Sequence, residues 1–155
     1  MLFRSALPVL YNNLHQIVQT RDQVLLMNEM VHDARIIRMN ATHLPSTVRR
    51  WMGDSVGRWE ADTLVVDTTN FTDKTRFRGS SDQLHVVERF SRLDDRTLLY
   101  RFTVEDPTTW TRPWTGEYTW PQTDQLLYEY ACHEANYALT NILDRKSTRL
   151  NSSHT

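Results

Sequence analysis

Histidine, carboxylate and arginine side chains in strand-like segments are the residues of this sequence best suited to acid–base or ionic chemistry. His32 and Arg35 stand in the segment VHDARII, Glu88 in LHVVERF, and His133 in YEYACHEANY. Imidazole and carboxylate groups are the common proton-transfer groups, and a guanidinium binds carboxylate or phosphate in a bidentate manner. The sequence therefore predicts His32, Glu88 and His133 as catalytic candidates, with Arg35 as an anchor for an anionic group.

The same side chains do not have the spacing of a known metal motif. His32, His133 and Glu88 would suit zinc or iron by ligand type. Neither H-x-H nor H-E-x-x-H occurs in the chain, however, and a single cysteine cannot form a thiolate-rich site. We therefore predict no metal and no cofactor.

Cys132 and His133 are neighbours, which raises the question of a thiolate–imidazole pair. Adjacent side chains of a regular strand point to opposite faces, so adjacency argues against that pair. The segment GDSVG resembles a G-x-S-x-G nucleophile elbow only superficially and is better read as a turn. Nucleophilic catalysis is therefore not predicted.

Aromatic side chains are the most suggestive binding feature. Tryptophan rings near polar neighbours can stack on a ligand, although the same rings can also pack as core at a barrel end. Glu105 opens the segment EDP, either as half of a carboxylate pair for glycoside hydrolysis or as an ordinary turn. The predicted ligand-binding residues are Arg35, Trp59, Glu105, Trp110, Trp114 and Tyr130.

The elements that must position these residues are strands. Leu98, Tyr100, Phe102 and Val104 alternate with a mostly polar set, which is typical of a strand with one buried face. That set is Leu99, Arg101, Thr103 and Glu105. Similar segments recur at short spacing, with turns expected at Arg21-Asp22, Glu60-Ala61-Asp62 and Asp94-Asp95-Arg96. We predict an all-β, antiparallel up-and-down barrel of lipocalin-like architecture. It has about eight or nine strands and a short loop or helix near residues 43–53.

Composition limits the classes of function. The 155 residues carry a net charge of −1 without a basic block, which does not favour nucleic acid as a partner. No apolar run is long enough to span a membrane, so we predict no membrane insertion. One domain is expected over residues 1–143. Residues 144–155 resemble the translation of a sequencing adapter and are predicted to be a disordered tail.

Several motifs carry a family resemblance. GDSVGRWEADTLVVDTTNF, LHVVERF and YEYACHEANY resemble segments of an uncharacterised family of exported bacterial proteins, frequent in soil bacteria and metagenomes. The resemblance implies a periplasmic or secreted protein whose native N-terminal part precedes Met1. It also implies that Cys132 is half of a disulfide with a partner in that part.

Two classes of function follow from these observations. The first is a module that binds a small amphipathic or aromatic molecule in the barrel lumen. The second is a hydrolase or lyase that uses His32, Glu88 and His133 around Arg35. A structural domain of the cell envelope is a further alternative, and the sequence does not indicate an oligomeric state.

Overall fold

The computed structural model describes residues 14–29, 33–74 and 77–128. Over these residues the chain forms one sheet of eight strands, ordered in the sheet as they are in the sequence. The prediction of an all-β fold with about eight or nine strands is thereby confirmed. The strands are β1 (His15–Gln19), β2 (Gln23–Asn28), β3 (Ala34–Met39), β4 (Asp54–Glu60), β5 (Thr63–Thr69), β6 (His85–Asp94), β7 (Thr97–Glu105) and β8 (Trp114–Pro121).

Alternating polarity explains why these segments form a sheet with two different faces. In β7, Tyr100, Phe102 and Val104 are buried, whereas Arg101 and Glu105 are exposed. Successive side chains of a strand point to opposite faces, so the apolar set lies on one face. The same alternation in β2 and β6 gives the sheet an apolar inner face.

Three tight turns lie at the same end of the sheet, which we call the hairpin end. They join β1 to β2, β4 to β5 and β6 to β7, at the positions expected from the sequence. Ala61, in the second turn, has a φ of +50°, in the left-handed region that residues with a Cβ rarely adopt. Longer connections, residues 70–84 and 106–113, lie at the opposite end, which we call the loop end.

The sheet departs from a purely up-and-down order at one pair, because β3 and β4 run parallel. A parallel neighbour requires a crossover, and residues 40–53 carry the chain from the hairpin end back to the loop end. Within this crossover, residues 43–53 form a loop with two turns and no helix. A Cβ at Gly57 would lie 2.8 Å from Ile37 Cγ2 and Met39 Sδ, so β4 approaches β3 closely only with glycine there.

Side-chain contacts across the inner face show that the sheet curls into a half-barrel. Arg35 on β3 reaches Glu88 on β6, although β4 and β5 lie between those strands. The ring of His15 on β1 stacks on that of Trp120 on β8, with centroids 4.3 Å apart. Among the described strands, β1 and β8 form no backbone pairing with each other, so the half-barrel has two sheet edges.

The core fills the half-barrel and is richest in rings near β7. The Tyr100 ring packs on Phe90 and Phe102, with centroids 4.9 and 5.6 Å apart. Trp110, Trp114 and Trp120 pack against this core while remaining partly exposed. Among the residues that the structure describes, none forms a helix that could cross a membrane.

Candidate functional site

A cavity of about 720 Å³ opens at the hairpin end of the half-barrel. Its walls come from the inner faces of β1 to β3 and β5 to β7, where strand alternation places apolar side chains. Aliphatic and aromatic carbon therefore surrounds most of the space. The apolar residues of the inner-face wall are Ile17, Val24, Leu26, Ile37, Leu64, Phe90 and Leu98.

Charged groups and one tryptophan ring stand at the mouth of the cavity. Trp59, near the end of β4, is 49% exposed although it lines the cavity. Asp62 belongs to the β4–β5 turn, and Asp94 and Asp95 belong to the β6–β7 hairpin. Arg92 is the cation among the lining residues. The cavity thus has an apolar interior and a polar, mostly acidic mouth.

A buried ionic cluster lies deeper in the half-barrel than the cavity. Glu88 accepts hydrogen bonds from Arg35 Nη1 at 2.5 Å, from Arg35 Nη2 at 3.0 Å and from the Tyr100 hydroxyl at 2.8 Å. Arg35 is 4% exposed, and Glu88 and Tyr100 are 0% exposed. The two charges neutralise each other in a dry environment, where one of them alone would be costly.

The cluster raises the pKa values of Arg35 and Tyr100. Burial by itself would lower the pKa of Arg35, but the charge and hydrogen bonds of Glu88 outweigh it and raise that pKa. Burial, reinforced by the nearby Glu88 charge, raises the pKa of Tyr100 well above its usual value. The buried donor Arg35 Nε has no hydrogen-bond partner among the described residues. Arg35 therefore remains a cation and Tyr100 a neutral phenol near neutral pH.

A second cavity, of about 1020 Å³, lies between the edges of β1 and β8. His15 and Trp120 line it with their stacked rings, and Asn28 Oδ1 accepts a hydrogen bond from His15 Nδ1 at 2.8 Å. Burial lowers the pKa of His15, and the Arg35 charge also lowers it. This ring is therefore neutral at pH 7 and acts here as a packing group.

A row of histidines and carboxylates lies on the outer face near the loop end. Asp67 Oδ1 is 3.0 Å from His43 Nε2 and 3.1 Å from His85 Nε2. His43 Nδ1 is 3.1 Å from Asp54 Oδ2, and His85 Nδ1 is 3.7 Å from Glu105 Oε2. Asp67 accepts hydrogen bonds from the Nε2 atoms of His43 and His85, so the row joins the crossover to β5 and β6.

Charge pairing shifts the acid–base equilibria of this row. The hydrogen bond that His85 donates to Asp67 raises the pKa of His85, although burial opposes the change. The same hydrogen bond is the main cause of the lowered pKa of Asp67. The side chains remain about one third exposed, at 34% for His85 and 28% for Asp67. The row is therefore a solvent-accessible proton-binding group outside the lumen.

Of the three predicted catalytic residues, the structure describes only Glu88. His32 and His133 lie outside the described residues, as does Cys132. Glu88 is on the inner face, opposite to His85, as strand alternation predicts. Its carboxylate is occupied by Arg35 and Tyr100. An acid–base role for Glu88 would require the buried ion pair to open.

The predicted ligand-binding residues are divided between separate places. Trp59 lines the cavity at the hairpin end. Trp110 and Trp114 lie at the loop end, where their rings contact each other edge to face at 5.8 Å. Glu105 is on the outer face near His85, and Tyr130 lies outside the described residues. Arg35 is buried in its pair with Glu88, so it is not a free anion anchor.

The EDP segment is a structural turn. Asp106 accepts hydrogen bonds from the backbone N–H and hydroxyl of Ser81 and from the backbone N–H of Thr108. Burial opposes the shift, but these donors lower the pKa of Asp106 to about 2. Of the two interpretations of this segment, the structure supports the turn.

Sequence reasoning missed the row formed by His43, Asp67 and His85. Asp67 interrupts the apolar run TLVVDTT, and such a polar residue on a strand is a usable signal for an outer-face cluster. The sequence around His43 did not indicate that it belongs to this row, because its position depends on the path of the crossover. Within the described part of the chain, no group of three histidine, cysteine or acidic side chains is placed to hold a metal ion.

The chain was compared with protein-family models, with curated proteins and with solved structures. None of the three comparisons returned a match. The case for a function therefore rests on the geometry of the cavity at the hairpin end.

Proposed function

We propose that this protein binds a small amphipathic or aromatic molecule in the cavity at the hairpin end. The observation that carries the proposal is an apolar cavity of about 720 Å³ that opens to solvent beside an exposed tryptophan ring. Cavities of roughly 300–1000 Å³ with apolar walls and few polar groups are typical of small-molecule sites. The lumen would be used as in lipocalin-like barrels.

The walls and the mouth have different roles in this proposal. Leu26, Ile37 and Phe90 would contact the apolar body of the ligand and remove it from water. Trp59 would stack on the part of the ligand that remains near the mouth. Export to the periplasm or beyond is retained as part of the proposal, on the family resemblance alone.

A substitution at the mouth tests the proposal. Titration with the neutral aromatic probe N-phenyl-1-naphthylamine should change the tryptophan fluorescence of the wild-type protein in a saturable way. Trp59→Phe should lose most of this change, because Trp59 is the tryptophan that lines the cavity. Trp110→Phe, at the loop end, is the matched control and should retain it.

A second variant tests the cavity itself. Ile17 lines the cavity but is 41% exposed, so Ile17→Trp can fill space without disturbing the buried core. We expect it to weaken probe binding by roughly tenfold, because the indole ring would occupy part of the cavity and reduce the apolar area that the probe can bury. Absence of saturable binding, or an undiminished response in both Trp59→Phe and Ile17→Trp, would rule out the proposal.

The enzyme alternative has less support from the described residues. A hydrolase or lyase built on His32, Glu88 and His133 would need a carboxylate that is free to accept a proton from substrate. Glu88 instead accepts three hydrogen bonds inside a buried pair. The envelope-domain alternative makes no use of an open apolar cavity, and the probe titration distinguishes it from binding.

A further inference from the structure

We propose that the ligand of the hairpin-end cavity is an amphipathic cation, with its apolar body in the lumen and a positively charged group at the mouth. The inference rests on the proposed function, and it assigns the chemical class of the ligand. It is carried by the distribution of polar groups between the deep end and the mouth of the cavity.

Within residues 14–29, 33–74 and 77–128, the deep end offers no free charge to a ligand. Arg35, Glu88 and Tyr100 each lie two residues along their strands from a cavity-lining residue on the same face, a step of roughly 7 Å. Arg35 and Glu88 neutralise each other, and the Tyr100 hydroxyl donates its hydrogen bond to Glu88. None of the three lines the cavity. An apolar end of the ligand therefore suits this depth, and a charged end does not.

The mouth, by contrast, carries an excess of negative charge. Asp62, Asp94 and Asp95 line it together with the single cation Arg92, which leaves a net charge of −2 among the lining residues. Asp94 also accepts a hydrogen bond from a backbone N–H in its own turn. Asp62 and Asp95 form no ion pair within the part of the chain that the structure describes, so their charge is available.

Nearby cations offset this excess only in part. Arg58 and Arg89 belong to the outer face of the sheet and share the single carboxylate of Glu60, and Arg96 lies near another carboxylate. Glu60 Oε1 is 2.6 Å from Arg58 Nη2, and Glu60 Oε2 is 2.8 Å from Arg89 Nη1. Arg96 Nη2 is 3.9 Å from Asp124 Oδ2. The charge that a ligand would meet on entering the cavity is therefore set mainly by the mouth residues.

Trp59 adds a second attraction for a cation. Its ring lines the cavity and is half exposed, beside the acidic groups of the mouth. The face of an indole ring attracts ammonium and guanidinium groups electrostatically. Carboxylates together with an aromatic face suit an organic cation, whereas an anionic head group would be repelled.

Three probes with one apolar body and different charge test the inference. They are 1-naphthylmethylammonium, 1-naphthylmethanol and 1-naphthoate, and calorimetric titration at low salt measures their dissociation constants. The cation should bind roughly threefold or more tightly than the neutral alcohol, and the carboxylate should bind most weakly. The preference should shrink in 0.5 M salt, because salt screens exposed charges.

A double variant at the mouth should remove the preference. Asp62→Asn together with Asp95→Asn should weaken binding of the cation to about the level of the alcohol and leave binding of the alcohol unchanged. Asp73→Asn, an exposed carboxylate at the loop end, is the matched control and should have no effect. Unchanged thermal unfolding of the double variant would show that its fold is intact.

The outcomes separate this inference from the function on which it rests. If none of the three probes binds in a saturable way, the proposed binding function fails. If the alcohol or the carboxylate binds as tightly as the cation, or if the double variant keeps the preference, only the cationic class is wrong. A preference that is present in the wild-type protein and lost in the double variant supports both.

Discussion

At the scale of single residues, the pairing of Arg35 with Glu88 argues against the binding and catalytic roles predicted for these side chains. Each was a candidate for contact with a ligand or substrate, yet each occupies the other inside the half-barrel. Burying two charges costs several kcal/mol of desolvation per ion, which their hydrogen bonds and mutual attraction offset. The pair therefore ties β3 to β6 across the lumen.

Glu88→Gln should destabilise the fold strongly, because it leaves the Arg35 guanidinium buried without an anion. Loss of one partner of a buried pair typically costs about 3–5 kcal/mol in the free energy of unfolding. Urea unfolding followed by circular dichroism measures this loss. The combined change of Arg35→Met with Glu88→Leu should cost less than Glu88→Gln alone.

Glu117→Gln is the matched control for this prediction. Glu117 pairs with Arg101 on the outer face, where the two side chains are 46% and 52% exposed. Breaking such a pair should cost less than about 1 kcal/mol. Equal losses for Glu88→Gln and Glu117→Gln would contradict a special role for the buried pair.

At the scale of elements, the crossover and its parallel strand are the parts that local pattern did not predict. The crossover contacts the sheet through His43, which reaches Asp54 on β4 and Asp67 on β5. His85 on β6 joins the same Asp67 carboxylate. This row holds a loop and three strands together through contacts between imidazole and carboxylate groups.

Stability from the row should depend on pH in a defined direction. The folded-state pKa of His85 lies above 6.5, so its contribution is fully present below pH 6.5 and is lost as the pH rises through the raised pKa. The folded-state pKa of Asp67 lies below 3.8, so its contribution is lost only as the pH falls below that value. The stability advantage of wild type over His85→Gln should be largest between these limits.

Unfolding titrations in urea from pH 4 to 9 measure this advantage, and His15→Gln provides a control of opposite sign. Burial lowers the pKa of His15, so its protonation opposes folding as the pH falls below 6.5. The advantage of wild type over His15→Gln should therefore shrink toward acid pH. An advantage over His85→Gln that grows above pH 7 would be inconsistent with the shared hydrogen bond.

At the scale of the whole molecule, the two ends of the half-barrel differ in what they contribute. The loop end is filled by rings, with Trp114 against Phe77 at 5.8 Å and against Phe102 at 5.7 Å. The hairpin end is open and contains the cavity. Packing is concentrated at one end, and space for a ligand remains at the other.

This division predicts different costs for two tryptophan substitutions. Trp114→Ala removes a ring that packs on the core and should lower the free energy of unfolding by about 2–3 kcal/mol. Trp59→Ala removes a ring that is 49% exposed and should cost less than about 1 kcal/mol. Urea unfolding of the two variants checks the difference, and a larger loss for Trp59→Ala would reverse the assignment of the ends.

Most of the sheet could be predicted from the sequence, because strand alternation and turn chemistry are local. The period of two in Leu98 to Val104 and the turn at Glu60 to Asp62 depend on residues close together in the chain. Strand alternation also predicts that the side chains of Glu88 and His85 lie on opposite faces of β6. The parallel pairing of β3 with β4 was not predicted, since it depends on where a crossover places its far end.

The candidate site was predictable only in its residue types. From the sequence alone it follows that strands carry inward apolar side chains and that aromatic rings and charges are available for binding. Tertiary structure decided that Arg35 meets Glu88 and that Trp59 stands apart from Trp110 and Trp114. Face and turn are set by neighbouring residues, whereas the curl of an eight-stranded sheet sets which inward side chains meet across the lumen.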